Sequence, residues 1–176
     1  MKYCSECGST VELRIPADDN LHRHVCSSCG TIHYQNPKVV AACIPEWEDH
    51  ILLCRRAIEP RKGLWTLPAG FMENGETVEQ AAARETYEEA QAQVDIIDLY
   101  ALYNITHVNQ VYVMFRGILL RPEFAPGAES LDVALFKQDE IPWDQLAFKV
   151  MHATLTRYYQ DQSSGNYPIF VDEIRR

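Results

Sequence analysis

The chain has 176 residues, 47% of them hydrophobic, and a formal net charge of −9. That length suits one compact domain plus a small appendage, with apolar residues enough for a core. The acidity argues against broad binding along a nucleic-acid backbone. No apolar run approaches the eighteen residues of a membrane span. The first residues, MKYCSECGST, resemble neither a secretory leader nor a transit peptide, so a cytoplasmic location is expected.

In chain order, residues 1–34 read as a zinc ribbon. Cys4-x-x-Cys7 and Cys26-x-x-Cys29 have the spacing of a four-thiolate zinc site, with a short polar hairpin between them. Disulfides or a redox CxxC would not require two matched knuckles each followed by glycine, as in CSECG and CSSCG. His22, His24 and His33 are alternative ligands, but four thiolates already complete a tetrahedron. Too few apolar residues are present for an independent core, so the metal must supply folding energy. Cys43 and Cys54, in apolar stretches, are expected to be buried thiols.

Residues 35–176 form the second unit. The runs 38-KVVAACIPE-46 and 50-HILLCRRAI-58 predict a β-hairpin around a short acidic turn. LWTLP, within 60–70, is strand-like. Thr77-x-x-Gln80 is a capping box, predicting a helix from Val78 to about Gln91. Strands follow over 94–106, 110–120 and 131–137, and a second helix over Trp143 to about Gln160. The order implies a mixed α/β sandwich.

The stretch 70-GFMENGETVEQAAARETYEEAQA-92 concentrates glutamates in a chain already acidic. On a helical wheel with Glu85 at zero, Glu89 lies about 40° away and Glu88 about 60° the other way, one carboxylate fan. Ala83, Tyr87, Ala90 and Val94 are expected to pack against the sheet, and Ala81 and Ala82 to flank the fan. A merely solvated acidic face explains these carboxylates poorly, because like charges at i, i+3 and i+4 repel. Hard divalent cations such as Mg²⁺ or Mn²⁺, bound by carboxylates, water and phosphate, resolve the repulsion.

This stretch resembles the Nudix box, G-x5-E-x7-R-E-U-x-E-E-x-G-U with U aliphatic. Gly70, Glu76, Arg84, Glu85, Glu88 and Glu89 stand at the required spacings; Thr86, Gln91 and Ala92 depart from the pattern at packing and helix-exit positions. The resemblance implies a Nudix α/β/α sandwich with a mixed sheet behind the ribbon, and hydrolysis of a nucleoside diphosphate linked to another moiety. It implies that Glu85, Glu88 and Glu89 bind catalytic Mg²⁺ or Mn²⁺, with the carbonyl of Ala69 as a further ligand. Glu76 and Arg84 would be a buried supporting pair beside Gly70. Glu129, on the loop before the late strand, would bind metal or act as base, with Glu123 competing.

The ribbon is shared with NADH pyrophosphatases, but the SQPWPFPxS-like segment they carry has no counterpart between Gln91 and Arg121. YQNPK, LLCRR, GLWTLPAG, FAPGAES and DEIPWDQLAF are more similar to a ribbon-bearing group that includes the plastid FAD/ADP-ribose pyrophosphatases of plants. ADP-ribose and FAD are therefore the implied substrates, and a homodimer the implied assembly. Arg55, Arg56 and Arg61 are candidate contacts to phosphate or base, and Trp65, Phe71 and Tyr34 candidate stacking surfaces. The competing class is a sensing or interaction module that keeps the fold and binds nucleotide, RNA or protein.

Overall fold

A computed structural model describes residues 1–176, which divide into two compact units, Met1–Pro37 and Lys38–Arg176. In the first, strands β1 (Val11–Arg14), β2 (Arg23–Cys26) and β3 (Ile32–His33) form an antiparallel sheet in that order. Cys4, Val25 and Cys26 are buried while Leu13, Ile15 and Leu21 are exposed. So small a core leaves the unit dependent on a metal for its stability.

The second unit is built on one mixed sheet. Its strands are β4 (Lys38–Trp47), β5 (His50–Arg56), β6 (Trp65–Thr66), β7 (Ala69–Phe71), β8 (Val94–Ile105), β9 (Gln110–Leu119), β10 (Ser130–Phe136) and β11 (Phe170–Glu173). The order is β10-β5-β4-β9-β8-β11, with β6 pairing β5 and β7 pairing β4. β4 runs parallel to β9, and β8 and β9 form a long antiparallel hairpin. Helix α1 (Val78–Ala90) covers one face and α2 (Lys149–Ser164) the other.

β4 explains the layering. Both of its faces are buried, as its unbroken apolar run requires. Val40, Ala42 and Ile44 join Val150, Met151, Leu155 and Tyr158 in the main core. Ala41 and Cys43, on the opposite face, meet Ala81, Ala82 and Phe115. The alanines on both sides let α1 approach the sheet closely.

That contact corrects the expected orientation of α1. Ala81 and Ala82 do not flank a ligand space; both are fully buried against the sheet. Tyr87, expected inside, is 55% exposed, and the buried stripe is Ala81, Ala82, Thr86, Glu89 and Ala90. Small side chains make the tighter interface, and Thr86 fits because its hydroxyl donates to the Ala82 carbonyl at 2.8 Å. The stripe carries the Glu89 side of the carboxylate fan inward.

The second helix also differs. Trp143–Gln145 is one 3₁₀ turn, and α2 begins only at Lys149. Between them the chain is drawn to the sheet: Leu146 bridges Trp65, and the Ala147 N–H donates to the Trp65 carbonyl at 2.8 Å. Within LWTLP only Trp65 and Thr66 form a strand, β6, and β7 begins just after it at Ala69. The unexpected β11 runs parallel to β8, with Phe170 packing edge-on to Tyr103 and Tyr100.

Candidate active site

Glu85, Glu88 and Glu89 of the Nudix box line a cleft of about 1310 Å³ in the second unit. β7 delivers Ala69 and Gly70 to it, and the following loop places Glu76 outside the lining, beside Thr77, the N-cap of α1. The capping box forms: the Gln80 N–H donates to the Thr77 hydroxyl, and the Thr77 N–H to the Gln80 side chain. The first turn is thereby fixed, and with it the phase of every carboxylate downstream.

Arg84 is the hub. It donates two bonds to Glu76, at 3.0 and 2.9 Å, and a third to the Phe71 carbonyl at 3.1 Å. Its Nη1 also reaches Glu85 at 2.8 Å and Glu88 at 3.3 Å. Part of the repulsion read from the sequence is thus relieved by an arginine inside the cluster. The guanidinium and the Glu73 N–H hold the Glu76 carboxyl down at about 2. The Glu76–Arg84 pair is partly exposed, at 16% and 24%, rather than buried.

Glu89 is 7% exposed, and Glu85 is nearly as enclosed. Burial pushes the Glu89 carboxyl up to about 8, against the Ala69 N–H, which donates to it at 3.3 Å. Burial also raises Glu85, with the Arg84 guanidinium opposing. Gly70 is required here, because a Cβ at that position would collide with the Glu85 carboxylate.

The loop before β10 closes the other side. The Ala125 N–H donates to the Ala90 carbonyl at 2.9 Å and the Gly127 N–H to the Glu89 carbonyl at 3.0 Å, capping the end of α1. A Cβ on Gly127 would overlap the Glu88 carbonyl. The same loop brings Glu129 to the cleft, its carbonyl held by the Ala57 N–H at 2.8 Å. Gln91, where the box has glycine, takes the left-handed conformation itself (φ 50°) and bonds the Tyr87 carbonyl. The helix exit survives that departure.

The structure does not gather every candidate. Gly70, Ala69, Phe71, Arg84, Glu85, Glu88, Glu89, Glu129, Arg56 and Arg61 all line the cleft. Arg55 does not; it bonds the Gly63 carbonyl at 2.9 Å. Trp65 also lies outside the lining, packed edge-on against Phe136 at 4.9 Å. Glu123 borders a separate hollow with Tyr87 and Arg121. Tyr34 belongs to the first unit, beneath the Arg23 guanidinium. Sequence reasoning missed the cleft residues His107, Tyr112, Trp143, Phe148, Lys149 and His152. The segment IPWDQLAFK carried a signal in its two aromatics, which a continuous-helix reading concealed.

Oxygen-only carboxylate donors, two of them enclosed, fit a hard divalent cation. Their oxygens are not drawn to one point; Arg84 lies between Glu85 and Glu88. In the ribbon the four Sγ atoms of Cys4, Cys7, Cys26 and Cys29 lie within 4.8 Å of one another. The Cys4–Cys29 and Cys7–Cys26 separations, 3.7 and 3.4 Å, are near the roughly 3.8 Å edge of a zinc–thiolate tetrahedron. They are far too long for disulfides. Gly8 and Gly30 take the positive φ that closes each knuckle. His33 is not idle: its Nε2 lies 3.3 Å from Cys4 Sγ, beside the thiolates.

A three-layer α/β/α unit with this box on α1, preceded by a four-cysteine ribbon, defines a zinc-ribbon Nudix protein. The Nudix N-terminal zinc-ribbon model matches residues 2–35 and the NUDIX domain model residues 36–158, so the chain belongs to the Nudix family. It is 30% identical over 145 residues to the NAD-capped RNA hydrolase NudC of Vibrio vulnificus, covering 81% of this chain and 53% of that protein. It is also 30% identical over 138 residues to the ADP-ribose pyrophosphatase of Methanocaldococcus jannaschii, covering 75% and 78%. The chain spans about half the length of the NudC relatives from Vibrio vulnificus and Photobacterium profundum. A NUDIX hydrolase from Nitrosomonas europaea has a crystal structure with TM-score 0.97 and 55% identity, over 100% of both chains.

Proposed function

We propose that this protein hydrolyses the diphosphate linkage of a nucleoside diphosphate derivative, with ADP-ribose and FAD as substrates. The observation that carries the proposal is the cluster of enclosed Glu85 and Glu89 with exposed Glu88, facing an open cleft across from Glu129. A structural acidic face would gain nothing from burying Glu89, which costs free energy unless a cation meets it. Glu85, Glu88 and Glu89, with the Ala69 carbonyl, would hold Mg²⁺ or Mn²⁺. When bound, such an ion supplies charge neutralisation and a more acidic water. Glu129 accepts the proton from the attacking water, while Glu76 and Arg84 fix the loop against the helix. Arg56, held by the Pro60 carbonyl and the Phe148 ring, meets the phosphates, and Phe71 offers a partly exposed ring.

The ADP-ribose reading is supported by the motifs shared with the plastid FAD/ADP-ribose group and by the likeness to the archaeal ADP-ribose pyrophosphatase. A second reading, NADH pyrophosphatase, is favoured by the likeness to NudC. A sensing module is disfavoured, having no need for the complete carboxylate set. The ribbon, residues 1–34, would hold one structural zinc and do no chemistry, since four thiolates leave no open position. Residues 35–176 would form the catalytic domain of a homodimer.

The test is turnover of ADP-ribose, FAD and NADH in Mg²⁺ and Mn²⁺, with Glu85→Gln, Glu88→Gln and Glu89→Gln beside wild type. Each substitution should depress kcat by roughly 10²–10³-fold, the scale of a lost electrostatic contact. Near wild-type turnover in both Glu85→Gln and Glu89→Gln would place the chemistry elsewhere. Binding of a dinucleotide without hydrolysis would establish the sensor.

A further inference from the structure

A row of residues in register across the sheet runs into the cleft. Phe71 of β7 stands opposite Val40 of β4, Val40 opposite Tyr112 of β9, and Tyr112 opposite Tyr103 of β8. Phe71, Val40 and Tyr112 line the cleft and Tyr103 does not, so its edge falls between two neighbouring tyrosines. Both tyrosine rings pack in the main core beside Val40.

The two tyrosines differ in what their hydroxyls face. That of Tyr103 is buried without a hydrogen bond, and the charges acting on it are Asp172 and Arg157, neither of which lines the cleft. The charges acting on the Tyr112 hydroxyl are Arg56 and Glu89, and both line it. Arg56 ends β5 and Glu89 lies on α1, so this hydroxyl looks into the space between the guanidinium and the carboxylates. Burial, more than either charge, raises the phenol above its ordinary value, and it keeps its proton at neutral pH. The donor is also unspent. The Tyr100 hydroxyl donates to Asp161 and the Tyr158 hydroxyl accepts from Gln162, whereas that of Tyr112 has no partner in the protein.

We propose that Tyr112 is a further catalytic residue, its hydroxyl donating a hydrogen bond to a non-bridging oxygen of the substrate's diphosphate. The inference rests on the diphosphate hydrolase reading, which puts that group between the carboxylates and Arg56. A lysine at this place would pair with Glu89 and compete with a divalent cation for it. A neutral phenol bonds the phosphate and leaves the carboxylates to the ion. As the linkage breaks, negative charge grows on the diphosphate oxygens, so the bond strengthens in the transition state and acts on kcat.

The experiment compares wild type, Tyr112→Phe and Tyr103→Phe on ADP-ribose and FAD in Mg²⁺, with melting temperatures alongside. Tyr112→Phe keeps the ring in the core, so its melting temperature should match wild type. Its kcat should fall roughly tenfold or more with both substrates, the scale of a hydrogen bond to a charged group, while KM hardly moves. Tyr103→Phe, which removes a hydroxyl outside the cleft, should turn over like wild type. Wild-type kcat in Tyr112→Phe overturns the inference and leaves the hydrolase reading intact. A loss confined to KM, or one matched by a lower melting temperature or by Tyr103→Phe, overturns it too. Turnover of neither substrate by wild type sinks the hydrolase reading. Calorimetry with ADP-ribose and Mg²⁺ then decides: weaker binding by Tyr112→Phe keeps the contact, and equal affinity overturns it.

Discussion

Glu89→Gln should make the catalytic unit more stable while disabling it. In the fold the Glu89 carboxyl is raised from its ordinary 4.5 to about 8, first by burial and then by the negative charges of Glu85 and Glu129. A folded pKa raised above the unfolded one favours the fold below the unfolded value, and that advantage is lost as pH rises through the folded value. At pH 7 the unfolded glutamate is ionised while the folded one holds its proton, costing about 3 kcal/mol at 1.36 kcal/mol per unit. Glutamine keeps the shape and the acceptor for the Ala69 N–H but titrates nowhere. The variant should therefore gain up to about 3 kcal/mol at pH 7, and the difference should vanish below about pH 4.5. Trp47, Trp65 and Trp143, the only tryptophans, all lie in the second unit, so urea unfolding by tryptophan fluorescence reads that unit alone. Divalent ions should be removed by resin, which spares the ribbon thiolates a chelator. Adding Mg²⁺ should then stabilise wild type and not the variant. If Glu89→Gln is no more stable than wild type at pH 8, or its advantage does not shrink toward pH 5, burial of a repelled carboxyl is the wrong account.

Gln91→Gly should stabilise the unit by about 1 kcal/mol, since Gln91 holds a left-handed φ of 50° that glycine adopts freely; chemical denaturation checks it. Gly127→Ala should lower activity and raise the Mg²⁺ concentration needed for half-maximal rate, because a Cβ there displaces the Glu129 loop from the Glu88 carbonyl. A Mg²⁺ titration of the variant reads this directly. Cys4→Ser should unfold the first unit before the second and release about one zinc per chain, measured by metal analysis beside tryptophan fluorescence. Glu76→Gln should lower both stability and activity, unlike Glu89→Gln, by weakening the two charge-assisted bonds through which Arg84 ties the loop to α1, read by urea unfolding and turnover.

What the sequence made legible was whatever depends on local spacing. The capping box set the start of α1 because Thr77 and Gln80 satisfy each other's backbone donors within a single turn. The four cysteines announced their convergence because two knuckles of the same spacing, each closed by glycine, together supply the four thiolates of one tetrahedral site. Trp143 was misplaced because helix periodicity from Leu146 onward cannot reveal that Ala147 bonds the Trp65 carbonyl, a contact from far along the chain. β11 was missed for the same reason: its aromatic anchor, Phe170, has meaning only beside Tyr103.

The carboxylate fan gives a sharper instance. Its internal angles were right, since they follow from helix geometry alone, yet the side facing the sheet was right only in part: Ala90 and Val94 pack inward, while Tyr87 is exposed and Ala81 and Ala82 are buried. Rotation of a helix about its axis is set by the surface it meets, and β4 presents Ala41 and Cys43 there. A flat, small-residue surface selects Ala81 and Ala82 over the larger Tyr87, and that choice turns Glu89 inward. Arg84 reaches Glu76, Glu85 and Glu88 at once. The alanines of α1 therefore position the site as surely as its charges do. Ala82→Leu should push α1 away from β4 and lower metal affinity without touching a single carboxylate, which a Mn²⁺ titration would detect. Unchanged affinity in a folded Ala82→Leu protein would break the link between packing and site.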